Sequence, residues 1–133
     1  MKDISALDFA TMLNALAHAS AFPTTLSDKE PISVLQTHAS AVLLTTRRVY
    51  KVKKPKNFGF FDYSTPALRR YFCQQEVRLN RDLAPHIYLG IAPVVAFSDG
   101  HVRFGTTFPP DDVPIPGTVF EGGHVVDYAV VMV

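Results

Sequence analysis

The sequence predicts an α+β domain in which an antiparallel sheet of about five strands packs against one long helix, with a further helix near the N-terminus. Three observations favour this class. Short segments rich in β-branched and other apolar residues follow one another between residues 32 and 53, a helical repeat occupies residues 64–85, and a β-branched segment closes the chain at 125–133. With 47% apolar and 19% charged residues, the 133 residues can bury one core and are predicted to form a single domain.

The N-terminal part of the chain predicts a helix followed by a connector. In residues 6–19, apolar side chains recur at steps of three and four with polar ones between them. Residues 21–31 contain two prolines, which interrupt regular structure. The domain therefore divides into an N-terminal helix with its connector, residues 1–31, and a sheet with the long helix, residues 32–133.

Three strands are predicted at residues 32–36, 41–46 and 49–53, and the short links between them favour an antiparallel meander. Residues 54–63 then predict a loop. Proline and glycine break this segment, and its phenylalanines are expected to anchor it to the domain: Phe58, Phe60 and Phe61.

The long helix is predicted to begin after Ser64 or Thr65, either of which can cap it, with Pro66 in its first turn. Pro85 ends it. Four apolar residues share a face that is expected to pack on the sheet: Leu68, Phe72, Leu79 and Leu83.

The C-terminal part predicts further strands. Residues 92–98 and 101–105 flank an Asp-Gly turn, and residues 125–133 form the closing strand. Residues 107–123, which are rich in proline and glycine, are predicted to form a loop between them.

Charge and cysteine content limit the partners. The net charge of +1 is small for a protein that binds nucleic acid by bulk electrostatics, although six basic residues lie within residues 47–56. Cys73 is the single cysteine, so an internal disulfide and a cysteine cluster for zinc are excluded, and a reducing, cytoplasmic location is expected. No signal peptide is evident and no apolar run is long enough for a membrane helix, so no membrane association is expected.

The candidate chemistry lies on the strand at residues 49–53. Alternation places Val49, Lys51 and Lys53 on one face of that strand. Glu76 lies close to the apolar stripe of the long helix, where a carboxylate needs a charged partner, and Lys51 or Lys53 can provide it. Two simpler interpretations remain open: a solvated edge strand, and a Glu76 that reaches water.

Five short motifs follow one another in this part of the chain. They are THxS from Thr37, YKxKKP from Tyr50, GFxDxST from Gly59, CxxExxLNRxLAP from Cys73 and YLGxxPV from Tyr88. In order and spacing they resemble the N-terminal part of the bacterial aminoglycoside-phosphotransferase-like proteins, a protein-kinase-like family often fused to a P-loop nucleotide kinase domain. The resemblance covers roughly two thirds of the chain.

The resemblance implies the N lobe of a protein-kinase-like fold that binds ATP with Mg²⁺. It implies that Lys51 contacts a phosphate, that Glu76 pairs with this lysine, and that Val49 roofs the adenine. Lys53 is the second choice for the phosphate lysine. Ser40 and His38 lie in the link where kinases place a phosphate-covering loop, although this link has no glycine-rich pattern.

The resemblance also implies that a C lobe is absent. A kinase of this kind takes its catalytic aspartate and its magnesium ligands from that lobe, and the downstream acids Asp111, Asp112 and Asp127 stand in no such motif. We therefore expect an isolated N lobe that binds nucleotide without transferring phosphate alone, and whose cleft face is covered by a missing C lobe or by a second copy. The alternatives are a non-catalytic protein-interaction module and, less favoured, a nucleic-acid binder.

Overall fold

The computed structural model describes residues 8–23 and 31–133. Two α-helices and seven strands make up this part of the chain, which confirms the α+β class. The helices are Phe9–Leu16 (α1) and Pro66–Leu83 (α2). The strands are Ser33–Gln36 (β1), Ser40–Leu44 (β2), Val49–Lys53 (β3), Tyr88–Ala96 (β4), Val102–Phe104 (β5), Val119–Phe120 (β6) and Gly123–Met132 (β7).

The strands form one antiparallel sheet in the order β1-β2-β3-β7-β4-β5, with the short β6 paired to the start of β7. The predicted meander is confirmed by the β1–β2 and β2–β3 pairings. The closing strand β7 lies in the middle of the sheet between β3 and β4, where its β-branched side chains are buried on both faces. The sheet has seven strands rather than about five. Six of them overlap the six segments predicted as strands, and the seventh, β6, forms inside the segment predicted to be a loop.

One face of the sheet packs on α1 and on a 3₁₀ turn, Ala19–Ala21. Three aromatic rings form the centre of this core: the ring of Tyr50 lies 5.0 Å from that of Phe22 and 4.5 Å from that of Phe104. Residues 21–31 are predicted to be a connector, and its first two residues, Ala21 and Phe22, are buried in this core. Residues 24–30 lie outside the described residues.

Helix α1 is shorter than the predicted helix at residues 6–19. Within the described part it begins after Asp8, whose Oδ1 accepts a hydrogen bond from the Thr11 amide at 2.8 Å. It ends at Leu16, before the 3₁₀ turn. The first two residues of the predicted helix lie outside the described residues.

Helix α2 covers the other face of the sheet. Its predicted cap is confirmed, because Thr65 Oγ1 accepts a hydrogen bond from the Leu68 amide at 3.1 Å. Its predicted apolar face is wrong at the C-terminal end, since Leu79 is 68% exposed and Leu83 86% exposed. The residues that α2 buries are instead Arg69, Cys73, Gln74 and Val77.

The loop before α2 folds into a small hairpin. Asn57 bridges Asp62, and the Phe58 amide donates to the Phe61 carbonyl at 2.8 Å. Phe60 at the tip is 97% exposed, so the expectation that it anchors the loop is wrong. Tyr63 is the buried aromatic of this segment.

The described helices include none that is both long and apolar enough to cross a membrane.

Candidate functional site

Strand β3 presents two chemically different faces. Tyr50 and Val52 are fully buried in the core that contacts α1, while Val49, Lys51 and Lys53 point to the side of α2. The register places Val42 of β2 and Val130 of β7 on either side of Lys51. A lysine pair is thus held on a central strand of the sheet, below the long helix.

The structure brings both lysines to Glu76 of α2. Lys53 Nζ lies 2.8 Å from Glu76 Oε1, and Lys51 Nζ lies 3.3 Å from Oε1 and 3.2 Å from Oε2. Glu76 lies next to the buried face of α2, one turn beyond Cys73, which explains why its carboxylate reaches the sheet. Neither a fully solvated lysine face nor a Glu76 directed to water describes this arrangement.

The charges of this cluster stabilise one another. Burial raises the pKa of Glu76, but the charges and hydrogen bonds of Lys53 and Lys51 outweigh burial and hold the pKa below its ordinary value. Burial lowers the pKa of Lys53, but the charge and hydrogen bond of Glu76 act in the opposite direction, and the pKa lies above its ordinary value. Glu76 is therefore ionised and Lys53 protonated at neutral pH.

Lys53 is enclosed by protein. Its Nζ lies 4.9 Å from the centre of the Tyr63 ring, a cation–π distance, and Ser40 of β2 lies opposite it in the sheet. The fully buried Cys73 lies close by, and burial raises the pKa of its thiol to about 12, so it remains neutral. Cys73 is thus a packing residue.

An open apolar strip continues the sheet beside the lysines. Leu44, Val49 and Met132 are cross-strand neighbours in one row, and Val42 lies in the next row, beside Lys51. These four side chains are half-buried rather than fully covered. Leu35 of β1 lies beside Val42 and is exposed. The strip offers a flat apolar ligand a surface next to a cationic group.

The link between β1 and β2 contributes unequally to the site. Ser40 is buried, and its amide donates to Thr37 Oγ1 at 3.0 Å, which closes a tight hairpin next to Lys53. His38 is exposed and its ring lies 5.1 Å from the ring of Phe58 in the loop. The structure therefore places Ser40 beside the lysine pair and His38 against the loop hairpin.

A buried ion pair fixes the N-terminal half of α2 on the sheet. Arg69 Nε donates to Asp127 Oδ1 at 2.9 Å, and Arg69 Nη1 donates to the Tyr63 carbonyl at 2.8 Å. Burial raises the pKa of Asp127, against the lowering effect of Arg69 and of the Tyr128 amide. Sequence reasoning identified Asp127 only as a downstream acid. The signal that points to this pair is a lone acid inside an otherwise apolar closing strand, which needs a buried cation.

The described residues of this site present a partly exposed cation and no metal-ligand cluster. Lys51 offers a partly accessible ammonium group, whereas residues 8–23 and 31–133 contain no group of three or more His, Cys, Asp or Glu side chains that could hold a metal. Asp111 is engaged by Arg78, and Asp112 is exposed. The Mg²⁺ implied by the resemblance therefore has no ligand set in this part of the chain.

The chain is similar to uncharacterized mycobacterial proteins. Over 78 residues, or 59% of this chain, it is 41% identical to the protein Rv2004c of Mycobacterium tuberculosis and likewise to Mb2027c of Mycobacterium bovis. The matched stretch spans only 16% of the length of each relative. No protein-family model matches the chain, and no solved structure matches it.

Proposed function

We propose that this chain is the ATP-binding half of an aminoglycoside-phosphotransferase-like kinase with a protein-kinase-like fold. The observation that carries the proposal is the ion pair between the strand residue Lys51 and the helix residue Glu76, at 3.2 Å, beside an open apolar strip. In protein kinases, a strand lysine paired with a helix glutamate holds the α- and β-phosphates of ATP.

The neighbours of Lys51 support this proposal. Val49 lies two residues earlier on the same face, next to Met132 near the end of β7. A purine against Val49, Val42 and Met132 would leave its phosphates on the side of Lys51, because these four side chains occupy adjacent rows of the same face. Ligand sites commonly combine an apolar lining with a few convergent polar groups, and this surface offers both.

The proposed role is binding without catalysis. The described residues supply a cation for the phosphates and no metal ligand set, so Mg²⁺ and the acceptor would be handled by groups of a C lobe. Mg²⁺ would neutralise the charge that develops on the transferred phosphoryl group. The acceptor substrate would be selected by that lobe.

Isothermal titration of the chain with Mg-ATP tests the proposal. We expect saturable binding that Lys51→Met and Glu76→Gln each weaken by about tenfold or more, which corresponds to the loss of one charge-assisted contact. Lys56→Met is the matched control, because Lys56 is exposed and contacts the Phe58 ring rather than Glu76. Equal binding by all four proteins would refute the site.

Phosphoryl transfer provides a second arm of the test. With labelled ATP and Mg²⁺, the purified chain is expected to release no phosphate and to label no added aminoglycoside. Transfer that Lys51→Met abolishes would show that the chain is a complete enzyme, and would overturn the proposed division between two lobes.

A second candidate function is protein interaction through an apolar surface at the C-terminal end of α2. Leu79, Leu83, Ile87 and Val133 are all exposed, and the Val133 amide donates to the Ile87 carbonyl at 2.9 Å, which joins the last two. A C lobe or a second copy would bury these side chains. Light scattering at two concentrations would detect a dimer, and Leu83→Glu should dissociate it.

Nucleic-acid binding has less support. Within the basic cluster at residues 47–56, Lys51 and Lys53 are paired with Glu76. A gel-mobility shift of single-stranded DNA that weakens steeply as the salt concentration rises would nevertheless favour nucleic-acid binding over the two functions above.

A further inference from the structure

The two lysines of β3 meet Glu76 from different environments. The side chain of Lys53 is 4% exposed and lies 2.8 Å from Glu76 Oε1. The side chain of Lys51 is 31% exposed and reaches both carboxylate oxygens at longer distances, 3.2 and 3.3 Å. The shorter contact therefore belongs to the lysine that solvent cannot reach.

The cluster carries an excess of positive charge. Two ammonium groups share one carboxylate, and Oε1 accepts from both, so one positive charge remains without a counter-ion in the cluster. Burying an unbalanced charge is costly, and an anionic ligand relieves that cost. Such a ligand can approach only through the exposed member, Lys51.

Lys53 is placed so that its bond to Glu76 can persist if Lys51 turns to a ligand. The Lys53 side chain is only 4% exposed, with Tyr63 at a cation–π distance and Ser40 opposite it in the sheet, so its ammonium group has no route to a ligand. Lys51 can exchange its longer contacts for a phosphate, because the 2.8 Å bond from Lys53 still satisfies the carboxylate.

The attachment of α2 supports this division of roles. Besides the Arg69–Asp127 pair, Arg70 donates to the Val113 carbonyl at 2.7 Å and Gln74 donates to the Pro110 carbonyl at 2.8 Å. The helix backbone near Glu76 is thus fixed to the sheet by Arg69 and to the loop between β5 and β6 by Arg70 and Gln74, and only the side-chain position remains to be set. The shortest contact to that side chain, 2.8 Å, comes from Lys53.

We propose that Lys53 is a positioning residue that holds Glu76 in place from the buried side, and that Lys51 is the residue that contacts a phosphate of the bound nucleotide. The Lys51 half of this inference rests on the proposed function. The Lys53 half rests on the contacts of the free protein. The site is then assembled before the ligand arrives, with Glu76 already in its bound position.

The test compares Lys51→Met, Lys53→Met and Lys53→Arg with the control Lys56→Met. Methionine keeps the length of the lysine stem and removes the charge. Affinities are measured for ATP, tripolyphosphate and adenosine. Stability is measured as the midpoint of urea denaturation. The accessibility of each lysine is measured by reductive methylation with and without ATP, followed by mass spectrometry.

We expect Lys51→Met to lower the affinity for ATP and for tripolyphosphate by about tenfold or more and to leave the affinity for adenosine unchanged. The urea midpoint of this variant should equal that of the control. Lys53→Met should lower the urea midpoint and the affinity for ATP, but not the affinity for adenosine. Lys53→Arg should recover the affinity for ATP, a rescue that a role in packing alone would not produce. In the wild type, Lys51 should be methylated and protected by ATP, whereas Lys53 should resist methylation throughout.

Three outcomes would overturn the proposal: methylation of Lys53 with protection by ATP, an equal loss of ATP and adenosine affinity in Lys53→Met, or a lower urea midpoint in Lys51→Met than in Lys53→Met. If the wild type binds neither ATP nor tripolyphosphate, the proposed function and the Lys51 half both fail. The methylation and urea results on the free protein then decide the Lys53 half separately.

Discussion

Replacing Arg69 with methionine should cost this domain a large part of its stability. The guanidinium group lies 2.9 Å from Asp127 Oδ1, and the two side chains are only 7% and 4% exposed. Methionine would leave the carboxylate buried without its cation and would also remove the hydrogen bond to the Tyr63 carbonyl. Removal of one partner from a buried pair typically costs about 3–5 kcal/mol, out of a total free energy of unfolding of about 5–15 kcal/mol.

Urea denaturation followed by far-UV circular dichroism measures this loss, since the chain contains no tryptophan for fluorescence. Arg78→Met is the matched control: Arg78 also lies on α2 and pairs with an aspartate, Asp111, but both side chains are exposed. Breaking an exposed pair should change the free energy of unfolding by less than about 1 kcal/mol. Similar losses in the two variants would refute the assignment of Arg69–Asp127 as the buried clamp of α2.

The pH dependence of the loss provides an independent check. Burial already raises the pKa of Asp127 in the folded protein, and loss of Arg69 should raise it further. A carboxyl group with a raised folded-state pKa favours folding fully below its unfolded pKa and loses that contribution as pH rises through the folded pKa. The cost of Arg69→Met should therefore be smaller at about pH 5 than at about pH 7. A cost independent of pH would mean that the buried carboxylate is not its origin.

Two further predictions concern backbone strain and the buried thiol. Gly90→Ala should lower the melting temperature more than Gly100→Ala, because both glycines have positive φ angles, +152° and +91°, but only at Gly90 would a new Cβ collide with the Phe108 carbonyl. Equal shifts would show that φ alone sets the cost. Cys73 is fully buried with a thiol pKa of about 12, so it should react with Ellman's reagent only after denaturation, and rapid labelling of the folded protein would contradict its placement in the core.

The strands of the meander are predictable from the sequence because their signal is local. Residues 49–53 alternate in polarity, and β3 occupies these same residues in the structure. The cap of α2 is equally local, since Thr65 bonds an amide three residues later. Strand β6 escapes prediction because two residues in a proline- and glycine-rich segment acquire their conformation only from pairing with the start of β7.

The buried face of α2 is not predictable from apolar periodicity, for a reason that the structure makes explicit. Arg69 and Gln74 replace apolar residues on that face, and each is buried because a partner far along the chain satisfies it: Asp127, 58 residues away, and the Pro110 carbonyl, 36 residues away. A prediction from apolar residues alone therefore assigns Leu79 and Leu83 to the buried face of α2, although both are exposed.

The same limit applies to the choice between Lys51 and Lys53. Alternation correctly places both on the face of α2, and a carboxylate near the helix stripe correctly indicates a partner for them. What separates the lysines is enclosure by Tyr63, which belongs to the loop before α2 and reaches Lys53 only through the folded hairpin. The burial of Lys53 against Glu76 therefore depends on three segments together: β3, α2 and the loop hairpin that carries Tyr63. It leaves Lys51, with its longer contacts and partial exposure, as the lysine available to an anion.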